Sequence, residues 1–374
     1  MKLAFGTTLL DRDQLSTGLD GIGQNCKELL NQLVSNPAFN TNLVVKPFSF
    51  GVENTFYQAK ILPSYPIYAA KTLMMGPNST TNNFFKKIDL IHATDQLIPL
   101  VRYTPVIATI YDTIPLSHPQ FLKIRSRYIK PKIWKILTQR ANHIIAISEF
   151  SKNSIIEYFQ FKEKQISVIP MGVNKTYFES IDNLHIEKTL LNFKITKPFF
   201  LFIGSIQPRK NIKTLLDSHA RLPKNLAFHY PLVIVGKLAW SDTETLAAIQ
   251  LAIQDGRCHW LRYVSEFEKR CLLQSALALV LVSLYEGFGM PIIEAFASGL
   301  PVITSNCTAM SEVAANAALL VNPYDQNEIT GALLALIDSD TMRTNLQGAG
   351  LKRARLYTWE LNAKATIQAY QAII

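Results

Sequence analysis

The sequence predicts an α/β protein made of two Rossmann-like, doubly wound domains. Three observations lead there. At 374 residues the chain exceeds the ~250–300 at which a single hydrophobic core stops growing. Short, near-continuously apolar runs recur along it, as strands buried on both faces of a parallel sheet should. Segments of helical periodicity separate those runs. Hydrophobic residues make up 48% and charged residues 18%, which excludes a disordered, collagenous or coiled-coil chain.

The strand runs fall at 43–45, 88–93, 106–111, 143–148 and 166–169 in the first half. In the second half they fall at 199–204, 232–236, 260–264, 279–283, 302–305 and 319–321. Between them Ile22, Cys26, Leu29, Leu30, Leu33 and Val34 form one helical stripe, and Leu215, Leu216 and His219 part of another. The stretch 174–197 is polar and irregular, and a fresh strand opens at Phe199. We therefore expect an N-terminal domain over 1–178, a linker over 179–197 and a C-terminal domain over 198–356. A final helix over 357–374 has Thr358 as its N-cap.

Met1 to Phe5 runs straight into polar and acidic residues, without the apolar core of a signal peptide. The uncharged run 271–285 falls short of the ~20 residues that span a bilayer. Four scattered cysteines make no CxxC, against disulfide frameworks and cysteine zinc sites. A reducing cytoplasm is the expected compartment. The formal charge is +10; residues 1–198 hold 23 bases against 14 acids, and 199–374 hold 15 against 14. The first half therefore needs a partner for its charge.

The most informative string runs from Ser283 through Tyr285, Glu286, Gly287, Phe288, Gly289, Met290 and Pro291 to Glu294. A buried strand ends, a glycine turn follows, and Pro291 sits where a helix begins. The amides of Gly287, Phe288, Gly289 and Met290 then form a helix N-terminus able to receive an anion, at the carboxyl end of a strand where open sheets bind ligands. Glu294 is expected in the first helical turn. A second phosphate candidate follows 199–203: Gly204 allows a close turn, and Arg209 and Lys210 can neutralise a diphosphate. Two bases at a helix N-terminus oppose the macrodipole, a local cost that a bound anion would offset.

These strings, with Gly21-Ile22-Gly23, resemble the retaining GT-B glycosyltransferases of family 4, also called group 1. Glu286 and Glu294 look like that family's E-x7-E signature, and Gly204 to Lys210 like its phosphate loop. Leu261 to Glu266 resembles its nucleotide segment, Pro301 to Ala314 its next strand and loop, and Tyr357-Thr358-Trp359 the start of its crossover helix. The resemblance implies two domains facing a cleft and transfer of a hexose with retention, without a metal ion. The subset with the loop Pro208-Arg209-Lys210-Asn211 contains many bacterial polysaccharide mannosyltransferases.

By this resemblance Glu286 contacts the donor sugar, Glu294 the ribose hydroxyls, and 287–290 the sugar and β-phosphate. Arg209 and Lys210 hold the diphosphate, Val264 lies beside the base, and Gly23 lets the backbone approach the diphosphate across the cleft. Tyr111-Asp112 stands where the family often has His-Asp beside the donor sugar; a tyrosine can donate a hydrogen bond there. Ser205 replaces a common arginine, whose charge Arg209 supplies. No cofactor is implied beyond the donor, for which GDP-mannose is the first expectation. A UDP-hexose donor and a non-catalytic sugar-nucleotide binder are the alternatives. The acceptor is expected to be a glycan or lipid-linked glycan in surface-polysaccharide synthesis.

Asp11-Arg12-Asp13 and Asp338-Ser339-Asp340 match a D-x-D metal motif, but both read as loop or cap residues, and no metal is expected. His92 ends a strand and is a candidate for the acceptor site. The segment from Lys123 to Arg140 interleaves seven bases with Tyr128 and Trp134 and holds no acid. An anionic membrane suits it; so does a solvated helix with Trp134 and Ile136 packed inward. No nucleic-acid-binding motif occurs. Gly18 to Gly23 lacks the G-x-G-x-x-G order of a dinucleotide oxidoreductase, and no strand immediately precedes it.

Overall fold

A computed structural model of the chain describes residues 1–14, 21–40, 42–52, 55, 57–75, 83–122, 129–239 and 243–374. They form two compact units: Met1–Gly172 with Trp359–Ile374, and Val173–Thr358. Each is a parallel sheet with helices between its strands.

The first unit holds β1 (Lys2–Gly6), β2 (Val44–Phe50), β3 (Lys60–Leu62), β4 (Leu90–Ala93), β5 (Val106–Ile110), β6 (His143–Ala146) and β7 (Ile166–Val168). Their order is β3-β2-β1-β4-β5-β6-β7. Neither β1 nor β3 is foreseen by the apolar pattern. Only Leu3-Ala4-Phe5 is apolar in β1, between the charged Lys2 and Gly6. Yet β1 lies between two partners, with Leu3 opposite Val45 on one side and Leu90 on the other, and those ladders stabilise a strand that local sequence barely specifies. Its side chains alternate between two cores, as the pleat requires. Ala4 joins Phe48, Phe50, Tyr68, Phe85, Trp134 and Phe159. Leu3 and Phe5 join Cys26, Leu29, Leu30 and Leu33 of the helix Gly21–Ser35. Of the foreseen stripe, Cys26, Leu29, Leu30 and Leu33 are buried, Ile22 is half-buried and Val34 is 48% exposed. The final helix, Trp359–Gln371, adds Ala363, Ala369 and Tyr370 to that second core.

The second unit holds β8 (Phe200–Ile203), β9 (Leu232–Val235), β10 (Cys258–Leu261), β11 (Ala278–Leu281), β12 (Val302–Ser305) and β13 (Leu319–Val321). Their order is β10-β9-β8-β11-β12-β13. Strands β8, β9, β11 and β12 are buried along their whole length, which is why they read as unbroken apolar runs. The stretch 179–197 lies within this unit. It holds the helix Asn183–Asn192, capped by Asp182, whose carboxylate accepts from Leu184 N at 2.8 Å. Leu184 and Leu191 stay more than half exposed, so this helix has the polar, irregular look of a linker. Among the described residues no helix is long and apolar enough to cross a membrane.

Candidate functional site

Strand order in the second sheet reverses between β8 and β11, the place where open α/β sheets hold ligands beyond their carboxyl ends. The two loops leaving those strands are tied together there. Leu284 N donates to Arg209 O at 2.7 Å. Asn211, in the left-handed region at φ 59°, caps the helix Ile212–Ala220 and donates to Val282 O at 3.1 Å and Pro323 O at 2.7 Å. A third loop supports them from β9. Gly236 has φ 155°, and a Cβ there would stand 1.9 Å from the Gly204 carbonyl oxygen. Only glycine lets these two backbones meet.

The loops bring Glu286, Arg209 and Lys210 into one buried cluster. Arg209 Nη1 donates to Glu286 Oε2 at 2.8 Å and to Tyr285 O at 3.0 Å. Lys210 Nζ donates to Glu286 Oε1, as does Ser283 Oγ at 3.0 Å. Gln207 links Arg209 to Ser205 through bonds of 3.3 and 2.7 Å. Glu286 is 8% exposed and Lys210 7%. Burial alone would raise the Glu286 carboxyl; Arg209 and then Lys210 outweigh it and hold it at about 2. Burial lowers Lys210 from its ordinary value, with Glu286 opposing. The cluster therefore carries one net positive charge, fixed in a site largely closed to water. This is a preorganised electrostatic surface for an anion.

Gly289, at φ 100°, is the N-cap of the helix Met290–Ala297, with Pro291 in its first turn. Phe288 is buried and packs edge-on against Tyr357 at 5.7 Å, while Gly287 and Met290 are half-buried. Met310 is buried beside the Gly289 turn. Glu294 is not in the first turn: it is the fifth residue of its helix, because the helix starts only at Met290. The macrodipole therefore does not account for an acid there. Glu294 is 8% exposed and accepts from Lys269 Nζ at 3.0 Å. Burial raises its carboxyl, with Lys269 as the main opposing charge. Val264 is half-buried in the loop between β10 and the helix Glu266–Ser275, beside Arg262, which stacks on Trp260 at 4.9 Å.

Other predicted residues lie in the first unit. Gly23 is buried near the start of its helix. Tyr111 and Asp112 follow β5; Tyr111 Oη accepts from Asn25 at 2.8 Å, and Asp112 from Ile114 N at 3.0 Å. Both line a cavity of about 210 Å³ with Arg12, Asp95, Gln96 and Trp134. His92 is not an acceptor-site residue. It is fully buried, with Nδ1 2.6 Å from Tyr370 Oη and Nε2 2.8 Å from Thr109 Oγ1. Burial holds its imidazole at about 3, so it is a neutral core group.

Asp11 accepts from Thr7 at 2.8 Å. Ser339 caps the helix Asp340–Ala354, and Asp340 pairs with Arg343. Among the described residues no cluster of acids, histidines and cysteines could hold a metal ion. Of the basic segment, residues 123–128 lie outside the described residues. In the helix Ile129–Thr138, Trp134 packs inward on Phe159 at 4.8 Å, whereas Ile136 does not: it is 60% exposed, next to Ile133 at 50%. Sequence reasoning missed Ser283, Gly236, Lys269 and Tyr177. A glycine ending each of two neighbouring strands was the readable signal for Gly236; the others are set by tertiary contact alone.

Comparison with known proteins agrees with this geometry. Residues 186–353 match the family described as Glycosyl transferases group 1, and residues 38–177 match Glycosyltransferase Family 4. The chain is 30% identical over 262 residues to the O-antigen chain mannosyltransferase B of Escherichia coli, covering 70% of this chain and 68% of that one. It is 32% identical over 247 residues to the O-antigen chain mannosyltransferase RfbU of Salmonella typhimurium, covering 65% and 64%, so it spans less than two thirds of that relative. The structure of Anabaena Alr3699/HepE in complex with UDP and glucose superposes with a TM-score of 0.74 at 16% identity, over 100% of each chain. Two parallel-sheet units of this kind define a GT-B glycosyltransferase. The chain belongs to the group 1, family 4 glycosyltransferases.

Proposed function

We propose that the chain transfers mannose from GDP-mannose, with retention and without a metal ion, to a hydroxyl of a glycan or lipid-linked glycan in surface-polysaccharide synthesis. The observation that carries this reading is the buried Glu286–Arg209–Lys210 cluster at the reversal of the second sheet. The choice of mannose rests on the two O-antigen mannosyltransferase relatives.

In this reading Arg209 and Lys210 stabilise the charge that develops on the departing diphosphate. Because Glu286 already neutralises one of them, the net charge that remains favours an anion without trapping the product. The amides of 287–290, at a helix N-terminus, add partial positive charge to the β-phosphate and orient the sugar. Glu286, held as a carboxylate, stands beside the reacting face and stabilises the oxocarbenium-like centre. Glu294 accepts from the ribose hydroxyls, Val264 covers the base, and Tyr111 and Asp112 offer hydrogen bonds to a substrate hydroxyl. The exposed Lys132, Ile133, Ile136 and Arg140 suit an anionic membrane surface, which would keep the enzyme near a lipid-linked acceptor. Binding to anionic liposomes should then fall as salt rises.

The test is a thermal-shift panel of GDP, UDP, ADP and their sugar conjugates, followed by transfer assays. GDP-mannose should raise the melting point most. Mannosyl transfer should persist in EDTA, and NMR of the product should show the donor's anomeric configuration. A shift with UDP-glucose alone would replace the donor, and tight binding without turnover on any acceptor would replace the enzyme with a binder.

A further inference from the structure

Glu294 is not held alone. Lys269, one turn into the helix Glu266–Ser275, reaches it from a neighbouring element. The same ammonium lies 3.2 Å from Glu266 Oε2 and 5.2 Å from the centre of the Tyr177 ring. The Tyr177 hydroxyl donates to Glu266 Oε1. Two acids, one base and one phenol thus form a closed group in which Lys269 touches the other three. Its side chain is only 18% exposed, and a lysine is costly to bury without a specific partner.

We propose that Lys269 is a positioning residue that fixes the Glu294 carboxylate for the vicinal diol of the donor's ribose. The proposal rests on Glu294 as the nucleoside-binding group of the function proposed above. A carboxylate accepts from two hydroxyls only if it is ionised and its plane is set before the ligand arrives. The group sets the plane through the Lys269 hydrogen bond, and the Lys269 charge opposes the burial that favours the neutral acid. Lys269 takes Oε1 of Glu294 and fixes its orientation. Glu266 and Tyr177 in turn fix Lys269, since a flexible lysine without them would have other places to reach.

The charges facing Glu294 are Lys269 and Glu266, with the Tyr177 hydroxyl as a neutral donor. Burial raises the Glu294 carboxyl; Lys269 lowers it by its charge and its hydrogen bond, Glu266 raises it, and the Tyr177 hydrogen bond lowers it. Removing Lys269 deletes the chief stabiliser of the ionised form, so the carboxyl moves further up. Nucleotide affinity should then decline as pH falls, and the decline should begin at higher pH than in the protein with Lys269 in place.

The experiment measures GDP and UDP affinity against pH for the unaltered protein, Lys269→Met, Lys269→Gln and Lys269→Arg. It also follows the Glu294 carboxyl by carbon NMR without nucleotide, assigned by its loss in Glu294→Gln. We expect Lys269→Met and Lys269→Gln to bind roughly tenfold more weakly at neutral pH and to begin that decline at higher pH. Lys269→Arg should recover most of the affinity, and the Glu294 signal should titrate at higher pH in the two neutral variants. An unchanged Glu294 titration in a folded neutral variant overturns the proposal, and so do affinities and pH profiles equal to those of the unaltered protein. Should the unaltered protein bind no nucleotide, the functional reading fails, while the carboxyl titration still decides whether Lys269 governs Glu294.

Discussion

The two sheets reverse strand order at equivalent places, yet the chemistry there is opposite. Beyond β8 and β11 stand three full charges, Glu286, Arg209 and Lys210, locked in salt bridges. Beyond β1 and β4 stand hydroxyls, the acids Asp11 and Asp95, and Arg12. Thr94 Oγ1 donates to Gly6 O at 2.6 Å and Thr7 Oγ1 to Asp11 at 2.8 Å. Asp95, 6% exposed, is pushed up to about 6 by burial, with the Leu97 N–H and Arg12 opposing. One topology thus supplies two kinds of site. Permanent charge suits a diphosphate, whose charge never vanishes; hydroxyls and an acid of raised pKa suit a sugar hydroxyl. The bulk charge follows a different logic. The first unit has 20 bases and 12 acids, the second 18 and 16, so the more basic unit is the one whose reversal holds more acids than bases.

The largest test of this contrast is Glu286. Glu286→Gln should lower transfer on the order of a thousandfold in a folded protein. Glu286→Ala should in addition cost about 3–5 kcal/mol of stability, because Arg209 and Lys210 would be left buried against each other. Steady-state kinetics and urea titration separate the two effects, and near-normal transfer by either variant would remove Glu286 from the chemistry. Next comes Gly236→Ala. Its Cβ cannot coexist with the Gly204 carbonyl, so the phosphate loop should shift, with about 3 kcal/mol lost and nucleotide-induced stabilisation abolished. A variant that keeps its thermal shift with GDP-mannose would mean that this loop does not hold the ligand.

The smallest effect sharpens the comparison through acid. Burial holds His92 at about 3 in the first unit and His219 at about 4 in the second, against about 6.5 unfolded. The unfolded chain therefore binds more protons below 6.5. Stability is complete above that pH and is lost as pH falls towards each folded value, by about 1.4 kcal/mol per pH unit per histidine. In the second unit a further loss runs from about 4.5 down to about 2, as Glu286 takes a proton. Because the raised Asp95 and Glu294 carboxyls act in the opposite direction, hydrogen exchange at pH 7.5 and 5.5 should isolate the histidine loss by difference, the first unit weakening less in His92→Asn and the second less in His219→Asn than in the unaltered protein.

The second unit was the more legible in sequence, for a physical reason. Four of its six strands are buried along their whole length, so they appear as apolar runs, and Glu286, Arg209 and Lys210 follow the turns that end two of them. Glu286, Arg209, Lys210, Gly204 and Gly289 could be named from such turns. What could not be read are partners brought from afar: Lys269 to Glu294 across 25 positions, or Tyr177 to Glu266 across 89. In the first unit β1 is placed by its ladders to the distant β2 and β4, which local sequence does not show, and His92 misled because a histidine ending a strand looks the same whether it faces a ligand or Tyr370. Tyr370 comes 278 positions later, and local periodicity cannot see that distance.

That last contact also bears on how the molecule is made. The first unit is completed by Trp359–Gln371, and the whole second unit is threaded between its two parts. A ribosome adding roughly 5–20 residues per second must work for about 10–40 s between releasing Gly172 and delivering the helix that covers Phe5, Leu29 and Leu30. During that interval the second unit, encoded in one unbroken stretch, can reach its native state, while the first waits with one apolar face uncovered. The nascent chain therefore completes its domains in reverse order, and a holding chaperone has a defined surface and a defined time in which to act.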